Sequence, residues 1–314
     1  MTVGLLLVSL FTFVELNCEN LFDCRHDSLK NDVEFLPEGR YHWSPNRYWE
    51  KLNHVGQTIV SCGDSPEGWS APALVALCEV ENDSVLHDLT RRSLLRKGHY
   101  DYVMTSSPDE RGIDVALLYS PYSFALLNWR PVRIPPVDGM RPTRDLLYAS
   151  GVVEGGDTLH VVVLHFPSRR GGEHRSRPFR EQAARTLCAI IDSVRAVSSA
   201  ANIVVAGDFN DYSQSPSVRM IVSQGLLDVS ADARGSHGAK GTYRYRGSWG
   251  SLDHILLSPA LAARVSECFI HDAPFLLEED TTYGGVKPFR TFLGPLYRGG
   301  FSDHLPLVVR WTAP

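Results

Sequence analysis

Several ordinary markers are missing from this chain. Its six cysteines, Cys18, Cys24, Cys62, Cys78, Cys188 and Cys268, contain no C-x-x-C and no paired Cys/His spacing. A zinc site is therefore not indicated, and the thiols read as small buried hydrophobes rather than a disulfide framework. There is no excess of basic charge either. A net charge of -5 argues against a strongly basic nucleic-acid binder, though not against an enzyme whose positive charge is local or carried by a metal. No apolar run is long enough to span a bilayer. Gly4–Leu16 is apolar but lacks a basic n-region and a small-x-small cleavage site, so it reads as a buried first strand. No repeat and no Gly/Ser or charged linker divides the 314 residues, so one domain over residues 1–314 is expected.

What the chain does have centres on Asn202–Tyr212, NIVVAGDFNDY. Four apolar residues, Ile203 to Ala206, form a short buried-strand signal. Gly207 breaks it, and Asp208, Asn210 and Asp211 come at once. A strand that releases acidic and amide groups at its end delivers them to the rim of a sheet. Taken alone this could equally be an Asx turn. Other strands end the same way, however.

The remaining pattern places these ends. Ser44 before Pro45 predicts a helix start, with Leu52, Val55 and Ile59 on its apolar face. Ala73–Cys78 predicts a strand, and Asp83 or Ser84 a cap for a helix through about Leu95. Further strands are expected at 100–104, 113–119, 124–128, 146–153 and 159–164. A helix is expected over about 177–197 and a short one near Val218, then strands at 242–246, 252–257 and 305–311. Residues 22–41 and 275–300 read as long loops, the second lying over the site. Strands outnumber helices and alternate with them only in part, which predicts an α+β or α/β fold with helices outside packed sheets.

The polar residues just past the ends of the apolar runs are Asn17, Glu79, His165, and Asp208 with Asn210. If those strands are parallel neighbours, the five side chains converge on one edge. Asp253-His254 and Ser302-Asp303-His304 precede apolar runs instead, and antiparallel strands would bring them to the same edge. Each residue alone has a bland explanation as a turn, a cap or a structural histidine. Their joint placement does not.

The blocks LNCENLFD (16–23), LCEVEN (77–82), HFPSR (165–169), GDFND (207–211), SLDHILLS (251–258) and SDHLPL (302–307) together resemble the endonuclease/exonuclease/phosphatase superfamily. They come in that family's order across nearly the whole chain. The resemblance implies a four-layered sandwich, two mixed β-sheets face to face with helices outside, and a magnesium- or manganese-dependent phosphoesterase site on one rim. It implies Glu79 as main metal ligand, with Asn17 beside it and Asp303 assisting. Asp208 and Asn210 would handle the attacking water and the phosphate. Asp253 would orient His304, and His165 would sit across the scissile phosphate. Arg144, in PTRD, and Arg169 are the expected phosphate contacts, and Asp114 is a candidate partner for His165.

The residue types suit that chemistry on their own terms. Hard carboxylate and amide oxygens favour Mg²⁺ or Mn²⁺ over zinc. General acid–base catalysis contributes roughly 10²- to 10⁴-fold, so metal and positioned hydrogen bonds must supply most of a phosphoester hydrolysis. Arg169, Arg170, Arg175, Arg177, Arg180 and Arg185 form either a phosphate-binding set or a solvated face. The inositol-phosphatase signature Trp-Cys-Asp-Arg is replaced by Ser-Leu-Asp-His, and His254 stands where abasic-site endonucleases carry tyrosine. HFPSRRGG is similar to bacterial nuclease-like members. The expected substrate is thus a phosphodiester of DNA or RNA, with no protein partner implied. A phosphomonoesterase, a lipid-headgroup phosphodiesterase and an inactive binding module are the alternatives.

Overall fold

The computed structural model describes residues 10–312. Residues 4–9 of the predicted first strand lie outside that range. In chain order the main elements are β1 (Leu10–Leu21), α1 (Pro45–Ser61), β2 (Leu74–Val80), α2 (Asp83–Arg91), β3 (Asp101–Met104), β4 (Asp114–Tyr119), β5 (Phe124–Val132), β6 (Leu146–Val153) and β7 (Thr158–His165). Then come α3 (Glu173–Val197), β8 (Asn202–Asp208), α4 (Pro216–Val222), β9 (Leu227–Asp228), β10 (Asp253–Leu257), α5 (Pro259–Ala262), β11 (Val265–Ile270) and β12 (Leu307–Thr312).

Two six-stranded mixed sheets result, ordered β11-β12-β1-β2-β4-β3 and β9-β10-β8-β7-β6-β5. Their inner faces pack together through residues such as Phe13, Leu74, Ala76, Val161, Val163, Val204, Ala206, Ile255 and Val309. Helices α1 and α2 cover the outer face of the first sheet through Leu52, Val55, Ile59, Leu86 and Leu89. Helices α3 and α4 cover the second through Leu187, Ile190, Ile191, Val218 and Ile221. The four-layer arrangement expected from the sequence is the one observed. The central strands of each large sheet are buried on both faces, which is why they read as continuous apolar runs.

Local signals hold up with small shifts. The Ser44 side chain caps α1, with Pro45 at its first position. The cap of α2 is Asn82, which accepts from the Val85 N–H, rather than Asp83 or Ser84. That helix also stops at Arg91, and a 3-10 turn over Leu94–Gly98 completes the predicted span. Strand β11 adds to the predicted set: its residues are mostly half-buried at a sheet edge, so no apolar run marks it. Residues 275–300 are not a featureless loop. They form short hairpins pairing Leu277–Glu279 with Val286–Pro288 and Phe292–Leu293 with Leu296–Tyr297.

Candidate active site

Side chains of a strand alternate faces, so the period-2 pattern decides what enters the sandwich. In β1, Phe11 and Phe13 face the second sheet while Val14 and Leu16 face the helices. Continuing that alternation sends Glu15 and Asn17 inward. The same count sends His165 inward after Val161 and Val163, and Asp208 inward after Val204 and Ala206. Strand β1 is parallel to β2, and β7 is parallel to β8. The converging strands are therefore not one run of parallel neighbours, as the apolar runs alone suggest, but two parallel pairs in facing sheets. Strand β10 runs antiparallel to β8 with Asp253 opposite Asp208. Strand β12 runs antiparallel to β1, so both strand beginnings reach the same rim.

The side chains then meet. The Asn17 amide donates to Asp208 Oδ2 at 3.1 Å. The Asn210 backbone N–H donates to Asp208 Oδ1 at 2.8 Å, and its side-chain amide donates to the Phe166 carbonyl at 3.1 Å. His165 Nε2 lies 3.6 Å from Asp208 Oδ2 and 3.9 Å from Glu79 Oε1. His304 Nδ1 is 2.7 Å from Asp253 Oδ2, which also accepts from the Thr242 hydroxyl. Ser302 Oγ donates to the Asn17 carbonyl at 2.7 Å and accepts from the His304 N–H at 3.1 Å, fastening that loop to β1.

Backbone geometry is specialised at the same places. Glu79 has φ 61°, a left-handed conformation that a long L side chain adopts only when its surroundings hold it. Asn210 at φ 50° and Asn20 at φ 56° occupy the same region, which asparagine visits more readily. The pairing of β2 shifts register between Cys78 and Val80, a bulge that turns Glu79 out of the ladder. There Glu79 Oε2 accepts from the Asn20 N–H at 2.8 Å. Gly207 has φ 146°, and a Cβ there would come within 1.8 Å of the Leu164 carbonyl oxygen. Only glycine lets β8 approach β7 this closely.

Burial sets the protonation states. Burial, reinforced by the Asp253 carboxylate, pushes Asp208 up to about 7. Burial also holds His165 well below its ordinary value, with the Arg144 guanidinium acting the same way, so its ring is neutral. For His304 burial acts downward, but Asp253 and its hydrogen bond, then Asp208 and Asp303, outweigh it and hold the ring well above its ordinary value. Two groups of opposite disposition thus stand in one site, the arrangement acid–base chemistry requires.

The donor chemistry fits a hard divalent cation. Asp208, Asp253 and His304 present donor atoms within 4.8 Å of one another, and Asp253 Oδ1 is buried without a partner. That triplet differs from Asn17, Glu79 and Asp303, the set implied by the resemblance. It is fully buried, and its His304–Asp253 hydrogen bond is already made. Glu79 is partly exposed at the rim beside Arg111, which better suits a magnesium ion that keeps several waters. Asp303 sits at the same rim, and its Oδ2 accepts from Arg290 at 2.9 Å.

The remaining sequence-derived candidates are engaged by neighbouring groups. Arg144 is buried, donating to Asp109 Oδ2 at 3.0 Å and the Phe166 carbonyl at 2.6 Å. Arg169 lies over the Tyr212 ring, its guanidinium carbon 4.9 Å from the centroid. Asp114 does not pair with His165; its carboxylate is taken by Thr105 and Ser107. Three arginines of α3 also have partners: Arg177 holds Glu173, Arg185 holds Glu181, and Arg180 is fully buried against Asp211 at 2.8 Å. Thr242, Arg111 and Arg290 belong to the site, and no sequence signal marks them. Each comes from a loop or strand end outside the recognisable blocks.

The profile of the endonuclease/exonuclease/phosphatase family matches residues 12–312. Among solved structures, the chain is similar to an endonuclease/exonuclease/phosphatase from Bacteroides vulgatus at 18% identity and TM-score 0.64, covering 98% of this chain and 100% of that one. It is also similar to a mannosyl-6-phosphatase of Bacteroides thetaiotaomicron at 16% identity and TM-score 0.61, covering 95% and 98%. The catalytic domain of human Nocturnin with bound sulfate aligns at 16% identity and TM-score 0.58, covering 96% and 94%. No curated protein sequence matches the chain.

Proposed function

The chain belongs to the endonuclease/exonuclease/phosphatase family, and from that premise we propose that it is a divalent-metal-dependent phosphoesterase hydrolysing a phosphodiester bond of nucleic acid. One observation carries this reading. Asn17, Glu79, His165, Asp208, Asp253 and His304 come from six segments and two sheets, yet a continuous set of contacts of 3.9 Å or less joins Asn17, Asp208, His165 and Glu79. The His304–Asp253 pair stands opposite Asp208 across the β8–β10 register.

Glu79 and Asn17 would hold Mg²⁺ or Mn²⁺, with Asp303 assisting. When bound, the cation neutralises phosphate charge. Asp208, with a proton affinity near neutrality, would take the proton of the attacking water, while Asn210 fixes its carboxylate from one side and Asn17 from the other. His304, held in one orientation by Asp253, carries a positive charge toward a phosphoryl oxygen. Neutral His165 would donate from the opposite side. Arg144 would act from beneath, steadying the Phe166 carbonyl that Asn210 also uses, and Arg169 would meet the phosphate chain at the rim. Over residues 1–314 this would be a single catalytic domain.

The similarity to a sugar phosphatase supports one second reading, a phosphomonoesterase on the same residues. The deciding experiment is hydrolysis by metal-stripped protein resupplied with Mg²⁺ or Mn²⁺. Its substrates are single-stranded DNA, RNA, a methyl nitrophenyl phosphodiester, mannose 6-phosphate and a phosphoinositide. Cleavage of the nucleic acids and the diester is expected. Release of phosphate from monoesters alone would replace the proposal with the second reading, and silence on every substrate would leave a binding module.

A further inference from the structure

The hairpin formed by Tyr243–Tyr245 and Ser248–Gly250 adjoins the reaction centre. Tyr243 makes an antiparallel bridge to His304, and their ring centroids are 5.0 Å apart. From that point three large aromatics turn outward. Tyr212 is 46% exposed, Tyr245 58% and Tyr283 57%. Two of them lie on glycines: a Cβ at Gly250 would meet the Tyr212 ring at 2.8 Å, and one at Gly247 would meet Tyr283 at 2.7 Å. Glycine lets these two rings lie close against the hairpin backbone while each stays about half exposed.

Guanidinium groups accompany the rings. Arg169 stands 4.9 Å from the Tyr212 centroid and Arg246 5.2 Å from that of Tyr245. Arg244 and Arg290 are taken by Asp280 and Asp303. Arg169 and Arg246 have no carboxylate partner among the described residues. Half-exposed aromatic rings, two of them with a guanidinium group over the ring, suit an unstacked polynucleotide: each base offers a π-face and each phosphate a negative charge. A duplex keeps its bases inside the helix and cannot use the rings. A sugar phosphate has no aromatic face at all.

We propose that Tyr212, Tyr245 and Tyr283, with Arg169 and Arg246, form a stacking platform that binds the nucleotides flanking the scissile phosphate of a single-stranded polynucleotide. This rests on the nucleic-acid reading of the site and adds the strand state and the surface that recognises it.

The test is a cycle of kinetic measurements on Tyr245→Ala with Tyr283→Ala, using a single-stranded oligonucleotide and the same oligonucleotide with abasic residues beside the cleaved bond. Base stacking on a protein ring is worth about 1–3 kcal/mol, or roughly 5- to 150-fold. The double variant should raise KM for the normal oligonucleotide by at least about 5-fold. Abasic substitution should raise it similarly for the wild type but little further for the variant. Cleavage of the normal oligonucleotide with an unchanged KM in the variant would overturn the platform while leaving the nucleic-acid reading standing. So would equal KM values for single strand and duplex. A wild type that turns over the small diester but no oligonucleotide would remove that reading and the platform with it. Both side chains are exposed, and thermal melting of Tyr245→Phe and Tyr283→Phe alongside separates loss of fold from loss of stacking.

Discussion

The side-chain amide of Asn17 donates to Asp208 Oδ2 at 3.1 Å across 191 residues of sequence. This bond joins an inner-face residue of one sheet to an inner-face residue of the other, so it positions the candidate site and ties the sandwich at its rim. Replacing Asn17 by Ala leaves Asp208, already burdened by burial, without that donor. A buried acceptor stripped of its partner costs about 1–3 kcal/mol. Asn17→Ala should therefore lower the unfolding free energy by that order in urea titration and reduce kcat/KM by about 10²-fold or more. Wild-type turnover in the variant would remove both Asn17 and the Asp208 contact from the proposed mechanism.

His304 and Asp253 lend themselves to a sharper kinetic test. Asp253 takes both the His304 ring and the Thr242 hydroxyl on one oxygen. In Asp253→Asn the negative charge that keeps the imidazole protonated disappears, while shape is retained. The expected result is a fall in kcat of roughly 10²- to 10⁴-fold with little change in KM, and a loss of activity that sets in at lower pH than in the wild type. An unchanged pH profile would mean that His304 does not act through its charge.

Metal removal separates the oxygen-donor reading from its rivals. Glu79 is a partly exposed carboxylate at a backbone bulge, and the His/Asp group whose donor atoms converge among the described residues includes no cysteine. EDTA should silence hydrolysis, Mg²⁺ or Mn²⁺ should restore it, and Glu79→Gln should raise the metal concentration needed for half-maximal activity. Restoration by Zn²⁺ alone would contradict the hard-ligand argument.

The legible parts of this molecule share a physical cause. Asn17, His165 and Asp208 are readable because each interrupts an apolar run at the end of a central strand, where a polar side chain stands out against valines and leucines. Asp253 and His304 are readable for the mirror reason, at strand beginnings. The sequence does not say that β1 with β2 and β7 with β8 lie in different sheets, since parallel pairing leaves no mark on composition. Arg111, Thr242 and Arg290 are invisible because loops place them, and loop residues of those types are everywhere. Arg180 reads as a ligand for phosphate or solvent because nothing local announces Asp211, which lies 31 positions further on (211 − 180) and buries it. The edge strand β11 escapes for want of an apolar run.

A last prediction concerns stability and lies away from the rim. His271 is largely buried beside β12, its Nε2 2.8 Å from the Ser61 hydroxyl and its N–H donating to the Pro306 carbonyl. Burial lowers it from 6.5 to about 4, with Arg310 and His237 acting the same way and Asp272 and Asp64 opposing. A base depressed in the folded state binds fewer protons there than in the unfolded chain between those two values. Its contribution is therefore fully present above about 6.5 and declines as pH falls toward 4. By pH 5 the linkage relation gives a loss of about 2 kcal/mol. In urea titrations at pH 7.5 and 5.0, the wild type should lose about that much more stability than His271→Gln, which keeps a hydrogen-bonding side chain but cannot titrate. Equal losses in the two proteins would mean that His271 becomes protonated without cost, and that its enclosure by Ser61 and Pro306 is looser than these contacts imply.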